Sequence, residues 1–554
     1  MKRIKILLYG VIMTCSMVAF FSCYDDQSTL ATHLIDAVAI DTTGIKPEQY
    51  VGYQERLRMA PTITIGGNSS ESGLLYEWAL AIFSKSDSEF EVISTDKALD
   101  EVISRPISPS PYTLKLTVTD TAHDNLQYQC LWNVYVQSSF LDGLLIADTE
   151  DGNSSDLTLV MNNRLTVNYD KGEKIYRKIL ENAHGTPYSK RMTSLTYEIH
   201  GYPTSGTRSN QVWAITDDGE CVRFHTEDFS INGTFNDESI ITYRPEGLQF
   251  KSLFRAYQMF FAHTTRGFYS LMNVAANSFG WHDAVATGYF PDNDVIAVTS
   301  SSSVNSNHTV WLDKDRKQFV FYSGSPNLFA SISTYEQNAV FDPNAMSGQT
   351  AIAAGMLEDG SIATFLLKDN ATGNYAIYTL GQHRPAEGEY DENGNWRETK
   401  PEQPAMARNR YVIPSEGKLL LDNAVSVFFA QRENVLYVAA GNAIYAILYG
   451  SGDQAVVSNT PKYTTTGGET ITKAKLYQQG HHTNDNSTTT GTPPDVMPLA
   501  WNNKAIIVTT QKGEFEGKVY VIPISQPGIG TLDPSKALAY DGFGKVLDVI
   551  TIGY

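Results

Sequence analysis

The chain reads as all-β, an immunoglobulin-like sandwich followed by a seven-bladed β-propeller. Three observations predict this: strict apolar alternation in short runs near the start, a strand–turn–strand unit repeated seven times beyond residue 140, and no long stretch with helical periodicity. With 42% hydrophobic residues, 31 Tyr and 24 Phe in 554 residues, there is material for more than one core, and composition excludes general disorder.

The first element is a leader. Lys2, Arg3 and Lys5 precede an apolar run over residues 6–21, broken by Gly10, Thr14 and Ser16 and ending at Phe20-Phe21-Ser22-Cys23. This is a signal-peptide layout over residues 1–22. Its end resembles the lipobox of bacterial lipoproteins, which implies that Cys23 is lipidated and that the chain is held by acyl chains, each buried methylene contributing roughly 0.8 kcal/mol. Residues 23–33 are the expected tether, and Tyr24-Asp25-Asp26-Gln27-Ser28 resembles the surface-export signal of Bacteroidota lipoproteins. After Cys23 no run approaches the roughly 18 apolar residues of a membrane span, so the expected membrane contact is the lipid alone.

Residues 34–138 read as short strands between turn clusters. In Tyr112-Thr-Leu-Lys-Leu-Thr-Val-Thr-Asp120, Tyr112, Leu114, Leu116 and Val118 share one face, and Trp132, Val134 and Val136 repeat the pattern. About 100 residues of this kind suit a sandwich. Tyr76-Glu77-Trp78 followed by the 112–120 strand is similar to the Tyr-x-Trp and closing-strand signatures of PKD domains.

From Leu144 to the end, residues 140–554 repeat a strand, a tight turn rich in Asp, Gly or Asn, and a second strand. Copies start at Leu144, Gln211, Met259, Thr309, Ala351, Asn434 and Lys504. The average of about 59 residues per copy suits four-stranded blades with insertions. Two polar insertions, residues 384–410 and 450–495, account for the wide gaps. Gly544-Lys-Val-Leu-Asp-Val-Ile-Thr551 is the expected closing strand, pairing with the blade that contains Leu144 so that no edge is left open.

Charge and cysteines narrow the function. Three of the 42 basic residues lie in the leader, so 39 face 61 acidic ones, a net charge of −22 that argues against nucleic-acid binding. Cys130 and Cys221 fall in different regions and are expected as small buried residues, not a disulfide framework.

No His-Glu-x-x-His or Gly-x-Ser-x-Gly motif is present, no carboxylate pair stands out, and no catalytic residue is nominated. Gly513-Glu-Phe-Glu-Gly517-Lys518 lacks a phosphate-loop spacing and reads as a hairpin turn. Asp292-Asn293-Asp294, Asp313-Lys314-Asp315 and Asp391-Glu392-Asn393-Gly394-Asn395 have oxygen donors at calcium-like spacing, but the turn reading dominates. No metal ligand is nominated and no cofactor is expected, structural calcium being the alternative. The ligand-contact candidates are Trp281, His282, Trp396, His481 and His482. Against them stand plainer readings: Trp281 and His282 follow Phe279-Gly280 and suit packing between blades, and His481 and His482 lie in a polar loop.

Lipobox, sandwich and repeats together resemble the PKD-like lipoproteins of Bacteroidota. That resemblance implies an outer-membrane lipoprotein facing the cell exterior, partnered with a SusC-like TonB-dependent channel and a SusD-like lipoprotein. Its implied task is to bind an oligopeptide or glycan for import, without catalysis. From their length and polarity alone, the insertions 384–410 and 450–495 are where ligand or partner contacts are expected. Two other readings compete: a propeller glycoside hydrolase or lyase, and a subunit that braces the importer without binding ligand.

Overall fold

The computed structural model describes residues 38–65, 71–84, 89–108, 110–140, 142–166, 169, 172–200, 209–236, 244–256, 259–272, 284–286, 288–298, 308–325, 328–384, 386–478 and 499–553. It divides into two compact units between Gln137 and Ser138.

The first unit is a sandwich. Its five-stranded sheet runs in the order Glu48–Gly52, Leu126–Gln137, Tyr112–Asp120, Leu74–Ala81 and Phe90–Ser94, with Glu48–Gly52 parallel to its neighbour. Val38–Asp41 paired with Thr62–Ile65, and Glu55–Met59 paired with Leu99–Ile103, send side chains into the same core. The alternation is the cause: Tyr112, Leu114, Leu116 and Val118 are buried, as are Trp132, Val134 and Val136. At the centre Trp78 stacks on Trp132 with centroids 5.7 Å apart, and its indole N–H donates to the Asp96 carbonyl at 3.0 Å.

The second unit is a ring of seven sheets. Their second strands are Gly143–Thr149, Ser209–Thr216, Met259–Thr264, His308–Asp313, Ile362–Asp369, Val435–Ala440 and Ala505–Gln511. Met192–His200, Phe250–Ala256, Pro291–Val298, Gln349–Met356, Ala424–Phe429 and Thr470–Leu476 are the first strands of blades two to seven. Blade one takes its first strand from the far end of the chain, Lys545–Ile552, which pairs antiparallel with Gly143–Thr149, the strand containing Leu144. Seven hydrophobic clusters join each sheet to the next. Trp213 meets Phe260 between blades two and three, Phe268 meets Trp311 between three and four, and Phe319 meets Phe365 between four and five. The last cluster, holding Leu144, Val521 and Val549, joins blade seven back to blade one. The circle is closed.

A common device shapes the blades. Every first strand carries a register irregularity near its start, from Met192/Ser194 in blade two to Ile471/Lys473 in blade seven, and the closing strand has one opposite Ala147/Asp148. Such a bulge bends the strand and increases its local twist. The residue ending the second strand then ties the turn. Thr149 accepts from the Gly152 N–H and Thr264 from the Arg266 N–H, while Asp313 accepts from Asp315 and Arg316, and Asp369 from Ala371 and Thr372. Asp313-Lys314-Asp315 is therefore a turn, as expected. Asp292 likewise accepts from the Ala351 N–H and from Lys317.

Two expectations need correction. The copy starting at Ala351 lies on a first strand, Gln349–Met356, whereas its equivalents in the other blades are second strands. Blade five has the same turn chemistry one hairpin early: Gly360 has φ +67° and Asp359 accepts from the Ser361 N–H. Residues 450–478 are also not simply a polar loop. Val456–Val457 and Tyr463–Thr464 pair with Ala443–Leu448 at the edge of blade six, and Thr470–Leu476 opens blade seven. The described α-helices, Ile179–His184 and Ser415–Asp422, are short, and no helix among the described residues is long and apolar enough to cross a membrane.

Candidate functional site

The insertion at 384–410 builds a structure that belongs to no blade. Met406–Val412 returns to complete blade five, while Glu387–Tyr390 and Trp396–Lys400 pair as a separate antiparallel hairpin. Its stem is clamped where Arg384 and Gln403 exchange backbone hydrogen bonds of 2.8 and 2.9 Å. The tip is set by the Asp391–Asn395 turn. Asn393 and Asn395 N–H groups donate to Asp391 Oδ1 at 2.9 and 2.8 Å, the Asn395 side chain donates to Oδ2 at 3.0 Å, and Gly394 sits at φ +79°. These bonds, the Asn395 side chain first, hold the Asp391 carboxyl below its ordinary range. Both its oxygens are engaged by N–H groups, which is the hairpin role expected of the Asn-Gly pair.

That turn makes Tyr390 and Trp396 direct cross-strand partners. Their rings meet edge to face, centroids 5.1 Å apart and planes at 63°, yet the two residues stay 73% and 50% exposed. Gly388 is essential to this arrangement. A Cβ there would stand 2.5 Å from Trp396 Cζ2, so the glycine lets the indole lie over the strand backbone. Glu398, two residues beyond Trp396, shares its face, and Lys400 is held by Glu387 at 2.7 Å. The result is a supported aromatic platform with a carboxylate beside it.

Of the nominated contacts, Trp396 is on this platform. Trp281, His282, His481, His482 and Cys23 lie outside the described residues. Tyr390 and Gly388 were not nominated: a two-residue Asn393-Gly394 loop would pair Tyr390 with Arg397, whereas the loop closed between Asp391 and Asn395 pairs it with Trp396.

A cleft of about 140 Å³ lies at the ring's closing seam, lined by Asp148, Asp156, Arg177, Lys178 and Gly542 among others. Asp148 and Asp156 face each other across the ladder. Burial pushes the Asp148 carboxyl up to about 6 despite the 2.7 Å bond from the Gly544 N–H. Asp156 is raised by burial and caps the helix at 179–184, accepting from the Leu180 and Glu181 N–H groups. Lys178 joins Glu150 to Glu181. This cluster holds the seam and can carry a proton in mild acid.

Asp548, on the closing strand, accepts from Lys473 at 2.7 Å, Lys475 at 2.9 Å and the Leu195 N–H at 2.9 Å. Those partners hold it well below the carboxylate range, as an anion and not a proton donor. Among the described residues no group of three or more His, Cys, Asp or Glu is placed to hold a metal ion. Cys221 is buried and its thiol is raised by burial, while Cys130 is half-buried, so neither is an activated thiolate.

Comparison with solved structures finds similarity at low identity. The β-propeller domain of Cps50 (Swd1) from Myceliophteria thermophila is 9% identical, over 64% of this chain and 89% of that one, with a TM-score of 0.26. Oligogalacturonate lyase from Vibrio parahaemolyticus is 8% identical over 64% and 74%, and the extracellular domain of a one-component system from B. thetaiotaomicron 9% identical over 92% and 69%, both with a TM-score of 0.26. No curated protein matches the chain. Residues 23–191, which run from Cys23 through the sandwich and the strands Gly143–Thr149, Asp156–Met161 and Lys174–Tyr176 of blade one, match the PKD-like family.

Proposed function

We propose that this protein is an outer-membrane lipoprotein, anchored through Cys23 and facing the cell exterior, that binds a nutrient oligopeptide or glycan as an accessory subunit of a SusC/SusD-type importer and performs no reaction on it. The observation that carries the reading is the coincidence at Cys23. The basic and apolar leader ends there, and the PKD-like match begins there. Two or more acyl chains on that residue give stable anchoring where one gives marginal binding. A propeller then offers a loop-built face for recognition.

The test is metabolic labelling with an alkyne fatty acid, protease shaving of intact cells, and affinity purification. The expected result is label lost in Cys23→Ser, cleavage from outside, and recovery of a SusC-like channel with a SusD-like lipoprotein. An unlabelled wild-type chain, or one protected in intact cells, overturns the anchoring. Turnover of a polysaccharide or peptide by the pure protein overturns the non-catalytic part.

A further inference from the structure

We infer that the Tyr390–Trp396 platform is a binding site for uncharged pyranose rings of a neutral polysaccharide. The inference rests on the nutrient-binding reading and gives that site its ligand class.

The geometry selects a flat apolar partner. One indole face lies over the Gly388 backbone, and the phenol meets the indole edge to face across the hairpin. Tyr390 and Trp396 are 73% and 50% exposed, so the platform is an open surface and does not enclose a ligand side chain. A pyranose ring needs none: its axial C–H groups form a flat face that packs on an aromatic surface, while equatorial hydroxyls point outward. Because of the ring quadrupole, the negative aromatic face attracts those polarised C–H bonds.

The surroundings supply the rest. Glu398 shares the indole's face and is placed to accept from sugar hydroxyls, a charge-assisted bond stronger than a neutral one. Residues 383–402 hold six carboxylates (Glu387, Glu389, Asp391, Glu392, Glu398 and Glu402) against three bases, Arg384, Arg397 and Lys400. That balance disfavours uronate or sulfated chains. Charged residues along both strands also discourage a peptide from adding as a third strand.

The experiment is calorimetry and affinity electrophoresis of the detergent-solubilised full chain. The probes are soluble starch, mixed-linkage β-glucan, galactomannan and xyloglucan, with polygalacturonate and a tryptic casein digest alongside. At least one neutral polymer is expected to bind. Trp396→Ala should weaken that binding at least tenfold and Tyr390→Ala about threefold, with Trp396→Phe between wild type and Trp396→Ala and all unfolding midpoints unchanged. Because the hairpin lies outside every blade, these variants fold. The inference is overturned if no neutral polymer binds, if Trp396→Ala binds undiminished, or if only polygalacturonate or the digest binds. Such a failure leaves surface labelling and importer co-purification intact, whereas failure of those would show in the Cys23 experiments and not here.

Discussion

His263 carries an imidazole into the packing between blades three and four. It is 2% exposed, its ring centroid lies 5.0 Å from that of Phe268, and its Nδ1 finds no hydrogen-bond partner, the Asp294 carboxylate standing 3.9 Å away. Burial disfavours the cation and lowers the group from 6.5 to about 4. The unfolded chain therefore takes up a proton near pH 6.5 that the folded chain refuses until about pH 4. Stability from this residue is fully present above pH 6.5 and is lost as pH falls towards 4, by about 3 kcal/mol at most. Because Asp148, raised to about 6, gains stability over the same fall in pH, the share of His263 is read as a difference: the denaturant midpoint at pH 4.5 relative to that at pH 7.5 should be higher in His263→Leu than in the wild type. An equal gap in both would remove His263 as the cause. Trp396 shows the opposite case, a large aromatic left outside because its hairpin has no second layer to bury it.

At the scale of elements, period and turn chemistry made most of the strands legible. The 112–120 strand buries the residues its alternation selects, and the terminal strand pairs with the strand that contains Leu144. What was misplaced follows from identical local signals: blade five repeats its Asp-Gly turn one hairpin early, so Ala351 looked like a second strand. Short outer strands such as Val456–Val457 hide in a polar stretch, because two residues give no alternation to read. The platform was half legible, since Trp396 is conspicuous but Gly388 matters only once the register is known. The hairpin's independence yields a prediction. Replacing residues 387–400 by a short Gly-Ser link should change stability by less than about 1 kcal/mol, because the segment contributes no side chain to the hydrophobic clusters joining the blades. A large loss in chemical denaturation would mean that the stem clamp between Arg384 and Gln403 supports blade five.

For the whole molecule the decisive joint is the seam where the two ends of the ring meet. Gly143–Thr149 keeps a partner on both sides only while Lys545–Ile552 stays paired with it, and Val546, Val549 and Ile552 fill the clusters on either side. Asp548 ties three blades at once: Lys473 and Lys475 come from blade seven, the Leu195 N–H from blade two, and Asp548 itself from blade one. With its side chain 4% exposed, removing this carboxylate leaves two ammonium groups and an N–H without their acceptor. The Lys473 and Lys475 side chains keep access to water, 42% and 31% exposed, so Asp548→Ala should cost about 1.5–3 kcal/mol. Asp548→Asn should cost less, because an amide oxygen can still accept from Leu195. The charge also has a pH signature. Held below its unfolded value of 3.8, Asp548 stabilises the fold above that pH, and the contribution is lost as pH falls through the lower folded value. That window lies beneath the one belonging to His263. Asp548→Asn should shrink the stability loss below pH 3.8, and His263→Leu the loss between pH 6.5 and 4. If Asp548→Ala unfolds at the wild-type denaturant midpoint, the seam is held by apolar packing alone and the ion cluster contributes nothing to closure.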